Sequence, residues 1–318
     1  MDNIKKLKKD LLIGVIILGI FIATMFLTKA GFIMNFITFI CLFLIAGQGW
    51  NLLGGYIGEI SFGHAIFFGL GSYTVGLPIG YKLGIPIWVT VLLAPAVAAL
   101  FAYIISYPLL RIKGFPFLIG TYGLGIVLEK VFISTPALFA TRGIFVPPVN
   151  KYILYPMIVI ITVGIVVFTE WLVNQDTGLS FKAVRDADIA ASMVGINIFK
   201  VKRKALVIGA AYGGMAGALY ALYSSFVHPI TSFSVDTSLA ILLGAYIGGA
   251  GTVLGPVIGG ALVIIIQELS RAYVPISGGH HLVIGIVLVL VMLLAREGIY
   301  PTILKAIKSK REKAVSER

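Results

Sequence analysis

Cysteine and acidic residues are scarce in this chain of 318 residues, and several catalytic motifs are absent. The single cysteine, Cys41, excludes an intrachain disulfide, and its place in an apolar run leaves the redox compartment open. The dipeptide Gly-Lys does not occur, which excludes a P-loop, because that motif places a lysine directly after its glycine-rich turn. HExxH and CxxC do not occur either, so no motif with metal-ligand spacing is present.

A serine hydrolase is the remaining enzymatic possibility, because Ser61 and His64 lie close together. They are three positions apart at the start of one predicted helix, without a nucleophile elbow or an evident third partner. We therefore predict that this chain is not an enzyme, that it has no catalytic residue, and that it holds no metal and no cofactor.

Apolar residues are abundant, at 59% of the chain, and the mean hydropathy is +1.02. Runs of about 17–25 apolar residues recur, which is the length that crosses a bilayer as a helix. The sequence predicts an all-α polytopic membrane protein, with one transmembrane domain over residues 1–318 and about ten transmembrane helices (range eight to ten). The predicted helices are 11–28, 32–53, 61–81, 86–108, 115–134, 152–173, 205–227, 237–250, 254–270 and 281–296.

The net charge of +12 fits the lipid bilayer better than nucleic acid as a partner. Lys and Arg concentrate in the cytoplasmic loops of membrane proteins, and an N-terminus inside the cell places the large majority of the 25 basic residues on the cytoplasmic side. Both termini are therefore predicted to be cytoplasmic, with a basic tail at 297–318. The N-terminal apolar run is longer than the core of a typical signal peptide, which predicts an uncleaved first helix.

The longest predicted cytoplasmic connection covers residues 175–204, which from residue 183 read AVRDADIAASMVGINIFKVKRK. Asp186 and Asp188 suit the first turn of a helix, where the helix dipole favours negative charge. Gly195 suits its end. A short cytoplasmic helix is predicted here.

This helix has one narrow apolar face, formed by Ile189, Met193 and Ile196 at spacings of four and three. Ala190 and Ala191 allow another backbone to approach closely. The residues fit two interpretations, a docking surface for a partner protein or a helix that lies flat on the membrane and is held by its basic flank.

Glycine is concentrated in two stretches, 54–71 and 244–260. Close helix packing explains many of these glycines, because small residues let backbones approach each other in lipid. Broken helices that line a transport path are the functional interpretation.

Polar residues cluster beside the first of these stretches, and either line a translocation path or gate, or form hydrogen bonds between helices. They are Gln48, Asn51, Glu59, Ser61 and His64.

Four segments occur in an order that resembles the longer, M-type permease of branched-chain amino acid ATP-binding-cassette (ABC) importers. They are GGYIGEISFGHAIFFGLGSYT (54–74), LRIKGFPFLIGTYGLGIVLEKV (110–131), AVRDADIAASMVGINIFKVKRKAL (183–206) and IGGAGTVLGPVIGG (247–260). The resemblance covers roughly residues 35–300. It implies an ABC importer permease fold with Gly-broken helices, in the bacterial cytoplasmic (inner) membrane.

The resemblance also implies a function, a set of partners and a coupling site. The chain would form the path for leucine-like amino acids, beside a second, H-type permease, two ATPase subunits that bind ATP and magnesium, and an extracytoplasmic solute-binding protein. The coupling residues toward the ATPase would be Asp186, Asp188, Ala190, Ala191, Met193 and Gly195. The alternative is an ion-coupled secondary transporter of small solutes, which also uses broken helices but needs no ATPase.

Overall fold

The computed structural model describes residues 31–139, 142–273, 285–286, 289, 293 and 298–305. Helices dominate these residues, together with two short strands, β1 (Ile144–Phe145) and β2 (Phe226–Val227). The helices in chain order are α1 (Gly31–Asn51), α2 (Ala65–Gly80), α3 (Ile87–Leu109), α4 (Phe115–Ser134), α5 (Lys151–Val173), α6 (Asp176–Asp186), α7 (Asp188–Met193), α8 (Ile198–Ser224), α9 (Pro229–Ser232), α10 (Val235–Gly249) and α11 (Gly255–Tyr273). α1 continues into a π-helical turn, Leu52–Ile57, and a 3-10 turn, Pro136–Leu138, follows α4.

The longer helices run alternately between two ends of a bundle. At one end, which we call the basic end, Lys113 after α3 meets Asp188 at the start of α7. At the other, the strand end, β1 and β2 pair antiparallel, with Ile144 opposite Val227. The helices with 19 residues or more are α1, α3, α4, α5, α8 and α11. α2 is shorter and begins beside the middle of α8, since a Cβ on Gly213 would lie 3.5 Å from Nε2 of His64.

The observed helices confirm a polytopic membrane protein. Six segments of the described residues are long and apolar enough to cross a bilayer, namely Ile33–Ile57, Ile87–Leu109, Phe115–Ser134, Lys151–Val173, Ile198–Ser224 and Pro229–Gly249. α2 and α11 are shorter apolar helices. The predicted helix 11–28, and most of the predicted helix 281–296, lie outside the described residues.

Two predicted helices begin four or more residues away from their predicted starts. The helix predicted over 61–81 begins at Ala65, and residues 58–64 are not helical. The helix predicted over 205–227 begins at Ile198, so the basic run that ends at Lys204 is helical rather than a linker. The Asn197 side chain accepts a hydrogen bond from the Lys200 amide, and this N-cap sets the earlier start.

α8 is the central helix of the bundle and packs against α1, α2 and α3. Its interface with α2 has no room for side chains. A Cβ added to Gly217 would lie 1.8 Å from the Phe68 carbonyl oxygen, and one added to Gly71 would lie 2.0 Å from the Gly214 carbonyl oxygen. Small residues allow such close approach between helices in lipid, and this explains part of the glycine content.

Candidate coupling site at the basic end

The chain segment that connects α1 to α2 at the basic end is not a continuous α-helix. The π-helical turn is followed by the non-helical residues 58–64, and we call residues 52–64 the break. Gly58 has φ +87°, a left-handed conformation that ends the turn and that glycine adopts without strain. Gly55 lets the turn approach the Gly251 backbone, because a Cβ on Gly55 would lie 2.3 Å from the Gly251 amide nitrogen.

Two side chains of α1 fasten the glycine-rich turn between α10 and α11. Asn51 accepts a hydrogen bond from the Gly251 amide (2.8 Å) and donates one to the Thr252 carbonyl oxygen (2.8 Å). Gln48 donates to the Val253 carbonyl oxygen at 2.6 Å. Both side chains are buried, and so is Val253, whereas Gly251 and Thr252 are half-buried.

The predicted short helix corresponds to α7, and another helix, α6, which was not predicted, precedes it. Asp188 opens α7 and occupies its first turn, as predicted. Asp186 was predicted in the same first turn and is instead the last residue of α6. Gly195 follows α7 with φ +86°, while the Ile196 amide bonds back to the Ala191 carbonyl oxygen, which is the predicted glycine helix end.

α7 presents an apolar surface away from the bundle. Ile189, Met193 and Val194 are 73%, 81% and 77% exposed, and we call these three residues the docking patch. Ala191 points the other way, is buried, and belongs to the bundle core. Ile196, which the sequence placed on the apolar face, is half-buried. One side of α7 therefore seats the helix and the other side is open to a partner.

A buried ion pair connects the break to α8. The Lys202 ammonium lies 2.5 Å from Oε1 of Glu59, and their side chains are only 5% and 11% exposed. Lys202 also lies 3.4 Å from Oδ2 of Asp188, which accepts a hydrogen bond from the exposed Lys113 at 3.0 Å. Removing one partner of a buried pair costs about 3–5 kcal/mol, because the other charge is left unpaired in a dry environment.

Asp188 stays ionised at neutral pH within this network. Partial burial alone would raise the pKa of its carboxyl group, but the hydrogen bond from Lys113 and the charge of Lys202 outweigh that effect and lower the pKa. The contribution of Asp188 to stability is therefore present at neutral pH and is lost only when the pH falls through this lowered pKa.

A second cation from the connecting segment reaches the break directly. Nη1 of Arg185, on α6, donates to the Gly55 carbonyl oxygen at 2.7 Å. The same guanidinium lies against Gly251, where a Cβ would come within 2.3 Å of Nη1. α6 thus contacts both glycine-rich segments at once.

The structure buries all five predicted path residues. His64 has no hydrogen-bond partner at either ring nitrogen within the described residues, while the other four have polar contacts inside the chain. Gln48 and Asn51 bind backbone groups, Glu59 pairs with a lysine, and the Ser61 hydroxyl accepts from the Gly63 amide. Their role in lining a path stays a prediction. Gln48 and Asn51 join α1 to the turn between α10 and α11 rather than to another helix.

Sequence reasoning missed the pairing of Lys202. The signal was present, because Lys202 precedes Ala205, Leu206 and Gly209 at spacings of three, four and seven on one helix. All four are buried. A lysine on the buried face of a helix needs a carboxylate partner. The predicted helix began at residue 205, after Lys202, so this periodicity was not recognised.

The described residues contain no group of three or more His, Cys, Asp or Glu side chains placed to hold a metal ion. The contacts at the basic end connect segments that are distant in sequence. They tie α6, α7 and α8 to the break.

Comparison with known proteins agrees with the family resemblance carried by the four sequence segments described above. Residues 32–292 match the family described as branched-chain amino acid transport system / permease component. The high-affinity branched-chain amino acid transport system permease protein LivM of Salmonella typhimurium is 25% identical over 95% of this chain and 77% of its own length. LivM of Escherichia coli K12 is 24% identical over 98% and 79%. The high-affinity branched-chain amino acid transport system permease protein LivH of the same strain is 24% identical over 82% of this chain and 91% of its own length. No solved structure matches.

Proposed function

The chain belongs to the branched-chain amino acid transport permease family, and we propose that it is the membrane-spanning permease subunit of an ABC importer for branched-chain amino acids. It forms part of the translocation path as one permease domain with a coupling loop over residues 175–204. ATP and magnesium bind in a separate ATPase subunit. The docking patch is the observation that carries this proposal, because exposed apolar side chains on α7 and on the residue that follows it, at the basic end, fit a protein partner.

A second permease completes the path. The chain resembles both LivM and LivH proteins, which are distinct permeases in the same organism. α4 offers a surface on which such a partner can pack, because only 17% of its most apolar stretch is buried, against 83% for the segment that contains α1. We further propose two ATPase subunits at the basic end and an extracytoplasmic solute-binding protein at the strand end.

The bundle lies in the bacterial inner membrane with its basic end in the cytoplasm. Ten crossing helices, with both termini cytoplasmic, are the arrangement that we propose. The basic residues at one end support this orientation, since Lys and Arg concentrate on the cytoplasmic side.

Single cysteines at the two ends are expected to label from opposite sides of sealed cells. Tyr152→Cys, at the strand end, should react with an impermeant maleimide, and Lys182→Cys, on α6, should react only after lysis. Both positions are exposed, so a failure to react reports sidedness rather than burial. A Cys41→Ser background removes the native thiol. Labelling of Lys182→Cys in intact cells would contradict the orientation.

Met193→Arg is expected to detach the ATPase from the membrane complex. A buried, unpaired arginine at the centre of an interface costs several kcal/mol, and Met193 is 81% exposed, so the permease itself tolerates the change. An affinity tag on this chain retrieves the complex from its native membrane. We measure the amount of ATPase retrieved and the ATP-dependent uptake of radiolabelled L-leucine after reconstitution.

Phe145→Arg is the matched control, because Phe145 is a 78% exposed apolar residue at the strand end. It should retain the ATPase at the wild-type amount. Equal retrieval from the Met193→Arg variant would place the ATPase contact elsewhere. Uptake by the wild-type protein that needs an ion gradient and no ATP would establish the secondary transporter instead.

A further inference from the structure

Lys202 joins two segments that are distant in sequence. Its ammonium group lies between Glu59 of the break and Asp188 of α7, at 2.5 Å and 3.4 Å. The lysine is nearly fully buried, while the Asp188 side chain is 27% exposed. One cation therefore connects the seat of the docking patch with the interruption between α1 and α2.

The charge makes this connection stiff. An ammonium group has three N–H donors and no acceptor, and a buried one without a carboxylate is costly. When α7 and Asp188 are displaced, the Lys202 ammonium cannot lose both of its carboxylate partners, because it would then be buried without a counter-charge. Glu59, with an 11% exposed side chain, is likewise held to its cation. The contact of Arg185 with the Gly55 carbonyl oxygen fixes the preceding turn to α6, so the two anchors act on neighbouring parts of the break.

We propose that Lys202 is a positioning residue for transport, which transmits displacement of α7 to the break through Glu59 and thereby couples ATP binding to rearrangement between α1 and α2. This inference rests on the proposed function. It assigns to the ion pair a task beyond holding the bundle together, and the two tasks respond differently to replacement by apolar side chains.

The decisive variant replaces both members of the pair, as Glu59→Met with Lys202→Met. Lys202→Met alone leaves a buried carboxylate unpaired, so less assembled complex should be recovered. The double variant removes both charges, and apolar replacement of a buried pair is commonly neutral for stability, so assembly should return to the wild-type amount. A structural pair predicts that transport returns with it.

The positioning role predicts a different result. L-leucine uptake and ATP hydrolysis are measured in the same proteoliposomes of the purified complex. In the double variant, uptake per ATP should fall at least about fivefold, the lower range of typical coupling between sites. Asp188→Asn, which keeps the buried pair and weakens its tie to α7, should lower the ratio in the same direction. Lys113→Met is the matched control, since it removes only the exposed partner of Asp188, and it should keep the wild-type ratio.

A readout without solute separates this inference from the proposed function. Ile60, in the break, is 41% exposed. An Ile60→Cys reporter in a Cys41→Ser background should change its maleimide labelling rate when a nonhydrolysable ATP analogue binds the complex. The double variant should lose that change. Its persistence, or a wild-type uptake ratio in the double variant, overturns the inference. A wild-type complex that responds to nucleotide but takes up no L-leucine contradicts only the substrate assigned above.

Discussion

Gly217→Ala is expected to prevent accumulation of the folded protein. The added methyl group would lie 1.8 Å from the Phe68 carbonyl oxygen, which is backbone and cannot rotate away, so α2 and α8 would have to separate. Overpacking a core costs about 1–3 kcal/mol and sometimes more, and here two helix backbones must move together. We expect little or no monodisperse protein after extraction from membranes, measured by size-exclusion chromatography of a fluorescent fusion.

Gly164→Ala is the matched control, because it is the same substitution inside another helix. Gly164 lies inside α5, and a Cβ there would meet no atom within 4 Å. Alanine should be neutral or stabilising by up to about 1 kcal/mol, because it favours helices more than glycine does. A Gly217→Ala protein with wild-type yield and melting temperature would show that α2 and α8 are not in backbone contact.

Asn51→Ala is expected to give the second largest loss of stability. The substitution leaves the Gly251 amide and the Thr252 carbonyl oxygen without the side chain that binds them. An unsatisfied buried group costs about 1–3 kcal/mol, and because Gly251 and Thr252 are half-buried we expect the lower end for each, a sum on the order of 2 kcal/mol. The measurement is the melting temperature of the purified complex, followed by the fraction that stays monodisperse after heating.

Asn174→Ala is the matched control, because it removes an asparagine whose side-chain hydrogen bonds are exposed to solvent. The Asn174 side chain donates to Glu170 at the end of α5, where water replaces it. Its effect should stay within about 0.5 kcal/mol, as for most surface substitutions. Equal destabilisation by the two variants would contradict a special role of Asn51 in holding the turn between α10 and α11.

Helix placement could be predicted because bilayer thickness fixes the length of an apolar run. α3, α4 and α5 begin and end within one residue of their predicted bounds. The break was harder to predict, because the residues around Ser61 and His64 are small and apolar, like those at the start of a membrane helix. What interrupts the helix is backbone geometry at Gly58 and tight contact at Gly63, whose Cβ would lie 2.4 Å from the Thr121 carbonyl oxygen. Such contacts between distant segments leave no local pattern.

The coupling segment was predicted in outline and corrected in detail. Asp188 and Gly195 occupy the predicted helix start and end, since capping is a local property. The split at Ala187, which places Asp186 on the preceding helix, depends on how α6 packs. Ala191 faces the core rather than a partner, and it is the one buried residue of this six-residue helix.

The exposed face of α4 determines how subunit association should be measured. Lipid tails solvate its apolar side chains as well as a protein neighbour does, so the hydrophobic effect gives no preference for pairing inside the bilayer. Association then depends on close packing and hydrogen bonds, in competition with every lipid that covers the same surface. The equilibrium is two-dimensional, and its concentration unit is the mole fraction of protein in the membrane. Adding lipid or detergent at constant volume therefore dilutes the partners and shifts them toward separate subunits, even when their molar concentration in the sample is unchanged.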